Sequence, residues 1–192
     1  MKILILLAGL LVQGTAIAQT TQQQSAGLSY SYLELRFVDV DRKGGDGIRF
    51  NGSYDFGNHW QIVGGITSLD FDDGVDSTVF ELGAGYVWHY SNDFDLVSTL
   101  RYISAEIDIP NPNNPTVSVD DDGFAFSAGT RGKLTPDFEI RGSVNHINVD
   151  NSDTYLELGG DYYFTPQFAA GLSLEFAGDT DVITIGARWF FK

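Results

Sequence analysis

The chain has 192 residues and a net charge of −15, from 26 acidic and 11 basic side chains. A surface that acidic cannot neutralise phosphates, which excludes nucleic acid as a partner. The absence of cysteine excludes disulfides and thiol chemistry, and an aromatic content of 14% is too high for a disordered acidic chain.

The chain opens with Lys2, an apolar run over residues 3–12, and Ala16-Ile17-Ala18 before Gln19. A positive start, a short apolar stretch and an A-x-A site predict a secretory signal peptide over residues 1–18. The run is too short to cross a bilayer, which takes about twenty apolar residues. Residues 19–26 are polar and predict a flexible lead. Residues 27–192 then form one domain.

From Gly27 onward the dominant period is two, the period of a strand. Ile48, Phe50, Gly52, Tyr54 and Phe56 share one face, with Arg49, Asn51, Ser53 and Asp55 opposite. The same division recurs at 80–89, at 168–176 and at 183–191. It predicts ten strands, starting near residues 28, 47, 60, 78, 94, 123, 138, 154, 168 and 182, with eight as the alternative. The first is the least regular. Leu33, Leu35 and Phe37 oppose Glu34 and Arg36, but Tyr30 and Tyr32 share the parity of the charged pair, which a bulge or an interior tyrosine pair would explain.

Four connections look alike: Phe56-Gly57-Asn58-His59-Trp60, Tyr90-Ser91-Asn92-Asp93-Phe94, Leu134-Thr135-Pro136-Asp137-Phe138 and Phe164-Thr165-Pro166-Gln167-Phe168. Each sets turn formers between bulky apolar residues. They alternate with five Asp-rich loops over residues 41–46, 70–77, 109–122, 150–153 and 178–181. Short turns at one end and longer loops at the other are the pattern of an antiparallel up-and-down transmembrane β-barrel in the bacterial outer membrane.

Volume and charge assign the faces. An aromatic face does not fit inside a barrel of this size, whereas a Gly- and Ser-rich face does. The polar face also carries Glu34, Glu81, Glu139, Glu157 and Glu175 with Arg36, Arg49, Arg101, Arg131, Arg141 and Arg188. An arginine facing lipid at mid-depth costs about 2–4 kcal/mol. Five glutamates and six arginines predict an interior network of structural ion pairs, with a pore lining as the alternative.

The last segment, Val182-Ile183-Thr184-Ile185-Gly186-Ala187-Arg188-Trp189-Phe190-Phe191-Lys192, resembles the signal that outer-membrane proteins present to the barrel-assembly machinery. It departs from that pattern in ending on Lys192. Gly27-Leu28-Ser29-Tyr30-Ser31-Tyr32-Leu33-Glu34, the four turns and the aromatic end resemble a family of small porin-like outer-membrane proteins once linked to diffusible-signal regulation in proteobacteria. Size and architecture give a looser likeness to the adhesin-like OmpX group. These resemblances imply a Gram-negative outer-membrane barrel and bring no defined activity.

Three residue patterns bear on chemistry. His89-Tyr90-Ser91-Asn92 looks like the H-x-S-N motif of lipid A deacylases, in which His activates Ser. It lies at a short turn, on the side away from the outer leaflet, and reads as a turn. His59, His89 and His146 show no zinc spacing. The Asp-rich segments 70–76 and 120–122 offer carboxylates to Ca²⁺, but read first as a solvated surface, with divalent cations bridging them to lipopolysaccharide phosphates as the alternative. The expectation is a non-enzymatic barrel without cofactor, catalytic residues or metal ligands. Its partners are outer-membrane lipid and lipopolysaccharide, and a narrow channel is the runner-up.

Overall fold

In the computed structural model, which describes residues 27–41, 44–111, 116–178 and 180–191, ten strands follow in chain order. They are β1 (Tyr32–Val40), β2 (Gly45–Gly57), β3 (Trp60–Phe71), β4 (Asp76–His89), β5 (Phe94–Ile109), β6 (Val117–Thr135), β7 (Phe138–Val149), β8 (Asn151–Thr165), β9 (Phe168–Ala177) and β10 (Thr180–Phe190). The expected signal peptide and lead lie outside the described residues. Each strand pairs antiparallel with its chain neighbours, and β1 also pairs β10, closing the barrel. Closure leaves no sheet edge, which a structure crossing hydrocarbon requires.

Alternation decides what faces where. Leu35, Phe50, Ile66, Leu82, Leu100, Phe126, Leu158, Leu172 and Ile185 are exposed on the outer wall. At the turn end, Trp60, Tyr86 and Trp88 pack edge to face or tilted at 4.6–5.0 Å, and Tyr54 stacks on Phe191. These rings form the aromatic girdle of a membrane interface. The β2–β3 turn takes positive φ at both Asn58 (52°) and His59 (70°), the primed geometry whose twist matches a tight hairpin. Thr165 and Ser91 fasten two of the other turns, each hydroxyl accepting two backbone N–H groups.

Two boundaries differ from the expectation. The first strand starts at Tyr32 rather than near 28, because residues 27–31 run inside the mouth instead of along the wall. The sixth starts at Val117 rather than near 123, and Ile109 pairs Val117. The expected loop 109–122 is therefore mostly hairpin: Val117-Ser118-Val119 still alternates, and the run Asp120-Asp121-Asp122 is long enough to resemble a loop yet remains in register.

The sheet also brings five aspartates into one row at the loop end. Asp39 faces Asp46, Asp46 faces Asp70, Asp70 faces Asp76 and Asp76 faces Asp108. All five share the parity of the outward apolar residues on their strands, so they form an acidic band on the outer wall.

Candidate functional site: the charged interior

Like charges are neighbours on the inner wall. The register places Arg36 beside Arg49, Arg131 beside Arg141, Glu139 beside Asp161 and Glu157 beside Glu175. Opposite charges directly across a ladder stabilise a sheet and like charges destabilise it, so these four pairs draw compensation diagonally, along a strand or from across the lumen, whereas Glu34 and Arg188 oppose each other directly in the β1–β10 ladder. Arg49 of β2 reaches Glu175 of β9 at 2.5 Å, and Arg36 of β1 reaches Asp161 of β8 at 3.2 Å.

The pairs form three levels. Toward the turns, Arg131 grips Glu139 with two bonds of 2.7 and 3.0 Å, and the Tyr163 hydroxyl donates to the same carboxylate at 2.5 Å. In the middle, Glu34 receives Arg36 at 2.6 Å and Arg188 at 2.8 Å, while Asp161 receives Arg36 and Arg141. Ser173 and Thr184 join this level through a 2.7 Å hydroxyl bond, and Thr184 accepts from Arg36 at 3.3 Å. Toward the loops, Arg101 meets Glu81 at 2.6 Å and Asn145 at 3.3 Å, and Arg141 reaches Glu157 at 3.5 Å. All eleven charged residues named from alternation thus lie on the inner wall in ion pairs.

Two interior carboxylates escaped the sequence reading. Asp161 is 1% exposed and Asp95 is fully buried. Asp161 shares the parity of Glu157, and Asp95 that of Arg101. Alternation could have found them, but they sit next to turns, where Asp is expected for its turn chemistry. Asp161 raises the acids pairing with the six arginines to six. Asp95 serves another pair of groups: it meets His89 Nδ1 at 2.8 Å and accepts the Tyr30 hydroxyl at 2.9 Å. Burial pushes the Tyr30 phenol far above its ordinary range, so it stays protonated and remains the donor.

Tyr30 and Tyr32 are an interior tyrosine pair. The Arg131 guanidinium lies 4.5 Å from the Tyr30 ring centre, and Arg188 lies 4.4 Å from that of Tyr32. Among the three levels a chamber of about 190 Å³ remains, bordered by all six arginines. A second cavity, of about 320 Å³, lies at the turn-side mouth beside Tyr30, His59 and His89.

His89 Nδ1 is engaged by Asp95, and Ser91 Oγ accepts the N–H groups of Asp93 and Phe94. The two side chains of the H-x-S-N motif are thus occupied separately, one in the interior and one in the turn. Among the described residues no group of three or more His, Asp or Glu is placed to hold a metal ion.

A closed barrel with an apolar outer wall, an aromatic girdle and a charged interior defines an outer-membrane β-barrel. The chain matches the outer membrane protein beta-barrel domain family over residues 3–176 and belongs to that family. The comparison with curated protein sequences finds no match. Among solved structures, the KdgM porin is similar at 12% identity with a TM-score of 0.52, covering 84% of this chain and 99% of that one. The KdgM porin in complex with disordered oligogalacturonate is similar over the same shares, also at 12% identity, with a TM-score of 0.51. Ail, the attachment invasion locus protein of Yersinia pestis, has 17% identity and a TM-score of 0.47, over 83% of this chain and 94% of that one. The likeness to the KdgM porin shows the fold. The protein resides in the bacterial outer membrane.

Proposed function

We propose that this protein is a non-enzymatic barrel whose interior is a structural ion-pair core and whose acidic outer rim is its interaction surface. The observation that carries the reading is the packing of the lumen from the turn-side level through the middle level. Glu139, Asp95, Asp161 and Thr184 are each at most 1% exposed there, whereas a water-filled path would wet such side chains. The row of outward aspartates meets the membrane at its loop-side border, where lipopolysaccharide phosphates and the divalent cations between them are the natural partners. The last strand, which completes the barrel by pairing β1, is the segment offered to the assembly machinery.

Two measurements test the reading together. Denaturant unfolding in micelles should show a clear loss of midpoint when an interior charge is removed, and planar bilayers should show no steady current from the wild-type barrel. Wild-type-like unfolding of Arg188→Ala together with a shifted reversal potential would reject it.

A specific observation favours a second reading, a narrow channel. The chamber of about 190 Å³ is bordered by six arginines, and lumen charges set ion selectivity in open barrels. The likeness in fold to the KdgM porin supports this reading equally.

A further inference from the structure

The first described residues lie inside the sheet rather than in it. Residues 27–31 enter the turn-side mouth, where Leu28, Tyr30 and Ser31 are 8%, 6% and 1% exposed. Leu28 and Tyr30 share a buried cluster with Val87 of β4. Tyr30 donates to Asp95 of β5 at 2.9 Å. Arg131 of β6 donates to the Ser29 carbonyl at 3.3 Å and covers the Tyr30 ring. Ser31 Oγ accepts the N–H of Asp55 on β2 at 3.1 Å. A short segment is thus held by four strands through side chains, and at its end the Ser31 carbonyl accepts the Phe191 N–H at 3.2 Å, where the segment joins the ladder.

The strand residues that grip the segment also have partners of their own. Asp95 keeps His89 at 2.8 Å, and Arg131 keeps both bonds to Glu139. If Tyr30 leaves, Asp95 still has its His89 contact and Arg131 its Glu139 counter-charge, so neither clamp is left without a partner in the buried interior. The cavity of about 320 Å³ beside Tyr30 gives the ring somewhere to swing. Arg131 also borders the central chamber, so the same residue holds the segment and forms the chamber floor. A unit with few apolar anchors opens more readily than the surrounding ladder.

We propose that residues 27–31 are a plug supplied by the chain itself, which shuts the lumen at the turn-side mouth and whose withdrawal opens the chamber to that side. The proposal rests on the channel reading. Tyr30 is the stopper, Leu28 its apolar anchor, and Asp95 with Arg131 the latch.

Planar-bilayer recording tests it, with folding of every variant checked by heat-modifiable gel migration. Tyr30→Ala, and Leu28→Ala combined with Tyr30→Ala, remove the stopper without altering a strand residue. Open time should rise about tenfold or more over wild type. Because the chain has no cysteine, Leu28→Cys with Val87→Cys allows the plug to be tethered by a disulfide or a short bis-maleimide. The tethered barrel should be silent, and reduction of the disulfide should restore wild-type behaviour. If wild-type, Tyr30→Ala and tethered barrels conduct alike, the plug is overturned and the channel reading survives. If none conducts, the double variant included, the plug and the channel reading fall together.

Discussion

Arg188 of β10 donates from Nε and Nη2 to Glu34 Oε1 of β1, at 3.0 and 2.8 Å, across the seam where the barrel closes. The two residues lie 154 positions apart and are also directly opposed in the ladder. The last strand therefore brings its own charge to the first as it docks, and both groups end almost fully buried. Glu34 also holds Arg36, so the seam pair is the edge of the middle level of the network.

Arg188→Ala should consequently lower the unfolding midpoint in micelles. Removing one member of a buried pair costs about 3–5 kcal/mol. The low end applies here, because Glu34 keeps Arg36. The loss should be accompanied by slower folding into vesicles, since the contact forms at closure. An unchanged midpoint would mean that water reaches the seam.

Asp161→Asn should cost at least as much, by a different route. Asp161 is the shared acceptor of Arg36 and Arg141 and lies 3.7 Å from Arg188. Without its charge, three guanidiniums crowd one buried level. Glu157→Ala should be milder, about 1 kcal/mol or less, because the Glu157 carboxylate is 25% exposed and Arg141 retains Asp161. Equal losses from the two variants would show that burial does not rank the pairs.

The contrast between these two acids also marks how far the sequence carries. Alternation was enough to place Glu157 inside, to divide Leu35 from Arg36, and to separate short turns from acidic loops. These features are local, because a strand repeats every two residues whatever its neighbours are. It could not show that Arg49 reaches Glu175 across the lumen, because compensation between distant strands depends on register and barrel diameter. Nor could it show that residues 27–31 leave the wall. Tyr30 and Tyr32 carried the warning in their parity, and the choice between a bulge and an interior pair required the packing of Arg131 and Arg188 over the rings.

Leu82 and Gly83 are adjacent on β4 and resist change for different reasons. Leu82 points outward and is 52% exposed. Leu82→Arg should lose about 2–4 kcal/mol at mid-depth, while Leu82→Ile should insert normally. Gly83 points inward, and a Cβ there would sit 2.0 Å from the Leu100 carbonyl oxygen. Gly83→Ala should therefore also impair folding, through a backbone clash rather than through lipid. Inward Ser127→Ala should lose only the bond of its hydroxyl to Thr99 at 2.6 Å, about 1 kcal/mol. Folded fraction after dilution into lipid vesicles ranks the four variants.

The acidic band on the outer wall makes a prediction of opposite sign. Asp70 stands directly between Asp46 and Asp76 on neighbouring strands. Like charges opposed across a ladder are destabilising, by about 0.2–1 kcal/mol for each contact. Asp70→Asn relieves two such contacts, so in detergent at low salt it should raise the unfolding midpoint. Monovalent salt shortens the Debye length to about 3 Å at 1 M, so the advantage of the variant should shrink as salt is added. If divalent cations bridge the band, millimolar Ca²⁺ should stabilise the wild type far more than an equal ionic strength of NaCl, and Asp70→Asn should lose part of that extra gain. Identical responses to the two salts would leave the band as a screened surface and remove cation bridging from its role. The experiment thus separates charge repulsion from ion binding on one protein, with the neutral isostere as its own control.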